Sequence, residues 1–180
     1  MRTIDEQGYH FEEWLTPKQI AADVQQVADK ISTDYAGKEP LFIVVLNGAF
    51  VFASDLIRGL KDIRCEITFI RVSSYYGMAS TGQLEFIVPL QQVVDQRDVI
   101  IVEDIVDTGL TIHQLKAHLR GLGASSVRVA SMLFKPNKLE YDDAKPDYVG
   151  HESTDEFVIG YGLDFDGFVR NLDAIYKVKK

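Results

Sequence analysis

Apolar residues along this chain switch repeatedly between a strand rhythm and a helix rhythm. Val99-Ile100-Ile101-Val102 is an unbroken β-branched run, which predicts a strand buried on both faces. Glu103 and Asp104 stand where that strand is expected to end, and Asp107-Thr108-Gly109 reads as a turn. Leu110, Leu115, Leu119 and Leu122 then recur at helical spacing, and Gly121-Leu122-Gly123 closes that helix. The same strand–turn–helix order appears earlier: Leu41 to Leu46 as a buried strand, Asn47-Gly48-Ala49 as the turn, and a helix from about Phe50 to Leu60. Ahead of it, Thr16-Pro17-Lys18-Gln19 has an N-cap threonine, proline at N1 and glutamine at N3. Ile20, Val24, Val27 and Ile31 share one face of the helix this starts, which runs to near Tyr35, with a break at Gly37 to Pro40. Further strands are predicted over Cys65 to Val72, Leu84 to Val88, Ser126 to Phe134, Asp147 to Gly150 and Phe157 to Tyr161. Residues 1–15 carry no clear pattern, and Ser73 to Gly82 reads as a polar loop anchored by Tyr75 and Tyr76, with the makings of a lid.

Buried strands alternating with helices predict an α/β fold with a mostly parallel sheet flanked by helices. In such folds ligands collect at the carboxyl ends of strands. Glu103, Asp104 and Lys135, which follows Phe134, are all expected there. A strand, a short glycine-containing turn and a helix aim free N–H groups at one spot, and the helix dipole favours an anion. Thr108 and Thr111 add hydroxyl donors. Carboxylates beside a phosphate nest make sense when they face sugar hydroxyls or a hydrated divalent cation. The stretch from Val99 to Ile112 therefore points to a sugar phosphate with Mg²⁺. Neither a GxxxxGK[ST] loop nor a GxGxxG turn after a strand is present.

Composition narrows the class without changing the fold. At 180 residues the length predicts one domain, residues 1–180, and 46% apolar with 26% charged residues is typical of a soluble globular protein. The net charge of −8 argues against a general nucleic-acid binder. A single cysteine, Cys65, cannot form an internal disulfide and is expected as a buried strand thiol in a reducing compartment. No apolar run approaches a membrane span, and the N-terminus lacks the character of a signal peptide, so a cytoplasmic location is expected. His10, His113, His118 and His151 lack metal-ligand spacing, and no serine is tied to a histidine and a carboxylate.

Val102-Glu103-Asp104-Ile105-Val106-Asp107-Thr108-Gly109-Leu110-Thr111 resembles the phosphoribosyl-pyrophosphate signature of the type I phosphoribosyltransferases. Ser74-Tyr75, Lys135, Lys145-Pro146-Asp147-Tyr148-Val149-Gly150 and Phe157-Val158-Ile159-Gly160-Tyr161-Gly162-Leu163-Asp164 follow in the order of the hypoxanthine-guanine branch. The resemblance covers roughly residues 40–172 and implies a small hood subdomain built from the N- and C-terminal segments. It implies transfer of 5-phosphoribose from phosphoribosyl pyrophosphate to N9 of a 6-oxopurine, with Mg²⁺.

Residue by residue, the resemblance makes Asp107 the general base. Glu103, Asp104, Ile105, Val106, Thr108, Gly109, Leu110 and Thr111 become the ribose-phosphate site, with Glu103 and Asp104 also near the metal and Asp164 its direct ligand. Asn47 and Gly48 would bind pyrophosphate through their backbone, helped by Arg170. Relatives often carry a basic residue where this chain has Asn47, so a side-chain ion pair there is not implied. Ser74 and Tyr75 would sit at the base of a closing loop. Lys135 would donate to the exocyclic oxygen, Phe157 would stack on the base and Val158 would meet its edge. Asp166 and Asp173 read as surface charges. A homodimer or homotetramer is the implied assembly, without nucleic acid or membrane. Three alternatives stay open here: a xanthine-preferring enzyme, an RNA-binding regulator on the same fold, and a phosphoaspartate protein, for which the DxDxT pattern is missing.

Overall fold

The structure, a computed structural model, describes residues 2–74, 84–153 and 155–179. The chain opens with a hairpin of β1 (Thr3–Glu6) and β2 (Tyr9–Leu15), followed by α1 (Pro17–Asp34), β3 (Leu41–Leu46) and α2 (Phe50–Gly59). Then come β4 (Glu66–Ser74), β5 (Leu84–Val88), β6 (Asp98–Val106), α3 (Leu110–Gly121) and β7 (Ser126–Phe134). Two short 3-10 turns, Pro136–Lys138 and Asp142–Ala144, lead to β8 (Tyr148–Glu152), β9 (Val158–Ile159) and β10 (Ile175–Val178).

The capping expectation for α1 holds in detail. Thr16 Oγ1 accepts from Gln19 N–H, and the Thr16 N–H donates to Gln19 Oε1 at 3.0 Å. The helix buries Ile20, Val24, Val27 and Ile31, the face its spacing defined. A six-stranded sheet in the order β5-β4-β3-β6-β7-β8 forms the core, parallel except for the antiparallel edge β5. Its central strands bury both faces, as their unbroken apolar runs require. One face packs Phe42, Val44, Ile100 and Val102 against α1 and α2. The other packs Leu41, Ile43, Val99 and Ile101 against Ile112, Leu115 and Leu119 of α3.

The chain leaves β3 toward β4 on one side and later adds β6 on the other. Helices α2 and α3 consequently lie on opposite faces, and a topological switch point opens between β3 and β6. Pairing of β3 with β6 stops at Val44↔Val102, while β6 stays paired with β7 through Val106↔Phe134. Strand β6 therefore does not end at Glu103 and Asp104. It continues to Val106 because β7 keeps supplying partners after β3 has turned away.

Residues 1–15, which carried no pattern, form the hairpin of a second, antiparallel sheet in the order β1-β2-β10-β9. Glu6 pairs with Tyr9, and Gln7 (φ 47°) and Gly8 (φ 82°) make a two-residue turn with both central φ positive. Gln-Gly is not among the favoured dipeptides for that turn, which hid the hairpin. This sheet is the hood: Leu15, Val158, Tyr161, Leu163 and Ile175 enter the apolar cluster of α1 and α2 and seat it on the core. Two further expectations change. Cys65 is half-buried and lies one residue before β4, which starts at Glu66 where its N–H meets Pro40 C=O at 3.2 Å. The strand expected over Phe157 to Tyr161 shortens to Val158–Ile159 because Gly160 (φ 90°) turns the chain back toward Leu163. The expected loop at Ser73 to Gly82 lies outside the described residues, except that the backbones of Ser73 and Ser74 complete β4.

Candidate functional site

The turn after β3 and the end of β6 meet across the switch point. The Leu46–Asn47 peptide is cis, and Asn47 is exposed. Gly48 has no side chain to spare: a Cβ there would lie 1.5 Å from Asp104 Oδ2. Gly48 C=O in turn lies where a Cβ on Gly162 (φ 99°) would come within 2.1 Å. Two glycines thus let three segments touch: the 47–48 turn, the end of β6 and the loop after β9. That loop brings in Arg170, whose Nη1 donates to Gly162 C=O at 2.7 Å and whose Nη2 pairs with Asp164 at 2.8 Å. Asp164 Oδ2 also accepts the Gly167 N–H at 2.7 Å.

Strand alternation sends Glu103 to the α3 face with Val99 and Ile101, and Asp104 to the α1–α2 face with Ile100 and Val102. Glu103 is buried and Asp104 half-buried. Burial pushes the Glu103 carboxyl well above its ordinary range, and the Asp104 charge pushes it further. Burial likewise raises Asp104 to about 6, against the pull of the Ile105 N–H, which donates to Oδ1 at 2.7 Å, and of the Arg170 charge. These acids are short of compensating cations. Their hard oxygen donors suit a divalent ion, with Asp164 as a third carboxylate near Asp104. No cluster of three or more ligating side chains occurs among the described residues.

On the α3 side, Glu103 and the run from Ile105 to Ile112 line a cavity of about 110 Å³. Gly109 (φ 86°) starts α3, and a Cβ there would press on Ala144 and Leu139 at 2.7 and 2.9 Å. Leu110 N–H reaches Thr108 Oγ1 at 3.4 Å, and the N-terminus of α3 has no side-chain cap. Free N–H groups at a helix start inside a small cavity make an anion seat.

Beside it, Lys135 is only 5% exposed, held where its N–H bonds Val106 C=O at 3.0 Å. Its ammonium lies 3.2 Å from Asp107 Oδ2. Asp107 Oδ1 is buried without a hydrogen-bond partner, alone in this among the described side-chain atoms. Sequence reasoning missed Lys138, whose Nζ also approaches Asp107 Oδ2, at 3.6 Å. It missed Gly162 as well. The signal for Lys138 was its spacing of three from Lys135 across Pro136. For Gly162 it was the Gly160-x-Gly162 pair.

Phe157 and Val158 belong to the hood. Phe157 is 47% exposed, tilted against Phe11 and edge-on to Phe165, while Val158 is buried on β9, an edge strand with β10 as its one partner among the described residues. Ser74 closes β4, but its side chain, like Tyr75, lies outside the described residues. Asp166 and Asp173 are placed at the surface as read, Asp173 pairing with Arg2 at 2.9 Å.

A family model for the phosphoribosyl transferase domain matches residues 11–166. This chain belongs to the phosphoribosyltransferase family. It is 36% identical to a hypoxanthine-guanine phosphoribosyltransferase of Streptococcus thermophilus over 92% of both chains, and 37% identical to one of Staphylococcus aureus over the same shares. Among solved structures, a hypoxanthine phosphoribosyltransferase of Staphylococcus aureus superposes with a TM-score of 0.88 at 36% identity, covering 93% of this chain and 91% of that one. The hypoxanthine phosphoribosyl transferase of Trypanosoma cruzi gives 0.88 at 32% identity, covering 98% and 95%. The α/β sheet with helices on both faces is that family's fold.

Buried, under-compensated acids make this phosphoribosyltransferase less stable than its packing alone would allow. Asp104 is raised in the fold, so it is the neutral form that the fold favours. The stability tied to that form is full below about pH 4 and is lost as pH rises through about 6. Asp104→Asn should therefore unfold at higher urea than the parent, with the gap widening by up to about 3 kcal/mol between pH 4 and pH 8. Urea denaturation across that range checks it, and a gap that stays constant or narrows contradicts it.

Proposed function

We propose that this single-domain chain transfers the 5-phosphoribosyl group of phosphoribosyl pyrophosphate to N9 of hypoxanthine or guanine and releases pyrophosphate. The observation that carries this reading is the pairing of a buried, unpartnered acceptor, Asp107 Oδ1, with a buried ammonium, Lys135, at the ends of adjacent strands. One acceptor beside one donor is the complement of the N7–H and exocyclic oxygen of a 6-oxopurine. An amino group at position 6 would face the ammonium with a second donor, so adenine fits poorly.

In the transfer, N9 bonds to the ribosyl C1 as the C1–O bond to pyrophosphate breaks, and the N7 proton passes to Asp107. Positive charge developing on the ribose is met by the acids of β6, with Glu103 and Asp104 also holding its hydroxyls. The Thr108–Thr111 turn grips the 5-phosphate. The backbone of Asn47 and Gly48, with Arg170, takes the pyrophosphate. Phe157 offers its exposed ring to the base, and β9 offers the open edge at Val158. Mg²⁺, held by Asp164 and the acids of β6, would neutralise the leaving group. Ser74 and Tyr75 would begin the loop that closes the centre to water. The net charge of −8 does not favour the RNA-binding alternative.

A panel of hypoxanthine, guanine, xanthine and adenine with phosphoribosyl pyrophosphate, with and without Mg²⁺, tests the activity. Turnover of xanthine above both hypoxanthine and guanine would redirect the reading. Asp107→Asn should lower kcat by about 10² to 10⁴ with little change in phosphoribosyl-pyrophosphate affinity. Equal loss in both would remove the base assignment. Lys135→Ala should lower kcat/KM for hypoxanthine about 10- to 100-fold and leave the weak adenine reaction nearly unchanged.

A homodimer or homotetramer in a reducing, cytoplasmic setting completes the proposal. Phe50, Ile67, Phe69 and Ile87 leave large apolar side chains exposed on α2, β4 and β5. In the Trypanosoma cruzi protein the C-terminal region has a role in oligomeric state and enzymatic activity. No described helix here is long and apolar enough to cross a membrane. Sedimentation equilibrium should return two or four times the chain mass, and a monomer at micromolar concentration would refute the assembly.

A further inference from the structure

Three residues after Lys135 stands a second lysine aimed at the same carboxylate oxygen. Lys138 N–H bonds Lys135 C=O at 3.1 Å, closing the 3-10 turn Pro136–Lys138. Side chains three apart eclipse one another in such a turn. Both ammoniums therefore come to Asp107 Oδ2, Lys135 at 3.2 Å from the buried side and Lys138 at 3.6 Å from the solvent side.

We infer that Lys138 is a positioning residue for Asp107, taking over Oδ2 when Lys135 turns its ammonium to the exocyclic oxygen of the purine. This rests on the transfer reading above. In the ligand-free chain Lys135 serves Asp107. A bound 6-oxopurine asks for the same ammonium, and sharing it would loosen the carboxylate at the moment Oδ1 must receive the ring proton. Lys138 resolves the conflict. It keeps Oδ2 held and leaves Oδ1, buried and unpartnered, as the acceptor directed at N7–H. The segment that carries it is braced against the phosphate turn. Glu140 N–H bonds Thr108 C=O at 2.9 Å, and Lys116 of α3 donates to Asp143 C=O at 2.7 Å. The Lys138 side chain is 40% exposed, so replacing it empties no core position.

The test is steady-state kinetics of Lys138→Met and Lys138→Arg beside the unmutated chain, with thermal melting of each. Lys138→Met should lower kcat with hypoxanthine about three- to tenfold, the scale of a partly exposed ion pair, while KM for phosphoribosyl pyrophosphate and the melting temperature stay unchanged. Lys138→Arg should restore kcat to within about twofold, because it returns the charge to the same turn. An unmutated rate in Lys138→Met overturns the role. A loss in Lys138→Met that arginine does not rescue, or that comes with a lowered melting temperature, also overturns it, since the lysine would then be acting through packing. No transfer by the unmutated chain defeats the transfer reading itself, and this role with it.

Discussion

Strand β6 loses one neighbour before the other. Its hydrogen bonds to β3 end at Val102, while those to β7 carry on to Val106. Over those four residues the strand is anchored on one side and open on the other, and the open side is where α2 and α3 diverge to opposite faces of the sheet. Parting the central strands this way makes a crevice without breaking the core, because beyond Val102 strand β6 still packs Ile105 against one apolar cluster and Val106 into the other. Glu103 and Asp104 stand along the crevice on a strand that cannot move without disturbing the whole sheet, and Asp107 follows directly after its end.

Closeness at the crevice depends on missing side chains as much as on present ones. Gly48 admits Asp104, and Gly162 admits the carbonyl of Gly48. Between them they draw the hood's Asp164 and Arg170 down to the floor of the site. The hood is a separate antiparallel sheet, yet its seating in the cluster of α1 and α2 means that the loop carrying Arg170 is positioned by core packing. The 47–48 turn, the acidic strand end and the loop carrying Arg170 thus form one contiguous surface drawn from three distant parts of the chain.

Charge at this site is left unbalanced. Two acids, Glu103 buried and Asp104 half-buried, are desolvated beyond what Arg170 offsets, and one carboxylate oxygen of Asp107 is buried with nothing to accept from. In a protein built only to be stable such groups would be paired or replaced. Under the transfer proposed above, a substrate that brings hydroxyls, a ring N–H and a cation-bridged pyrophosphate would supply what each lacks, and the cost in the fold would become preference for the loaded state. The two lysines meet on the other oxygen of Asp107, at 3.2 and 3.6 Å, and hold that carboxylate in place.

Local chemistry was legible in the sequence wherever neighbours in the chain decide the outcome. The capping box of α1, the limits of β3, β5 and β7, the glycine turn before α3, and the acid, threonine and lysine positions around them all follow from short-range rules. The hairpin at the N-terminus escaped because Gln7-Gly8 makes its turn without the usual dipeptide and because its apolar residues serve a sheet completed 160 residues later by β10. The limit of β6, the opposite faces taken by Glu103 and Asp104, the glycine contacts of Gly48 and Gly162, and the meeting of Lys138 with Asp107 belong to the tertiary structure alone. Each depends on which strands pair and how far, and on segments distant in the chain approaching within van der Waals contact. Residue periodicity carries no record of such distances. The chemical groups were written into the order of residues, and their arrangement into one site came from the unequal pairing of a central strand.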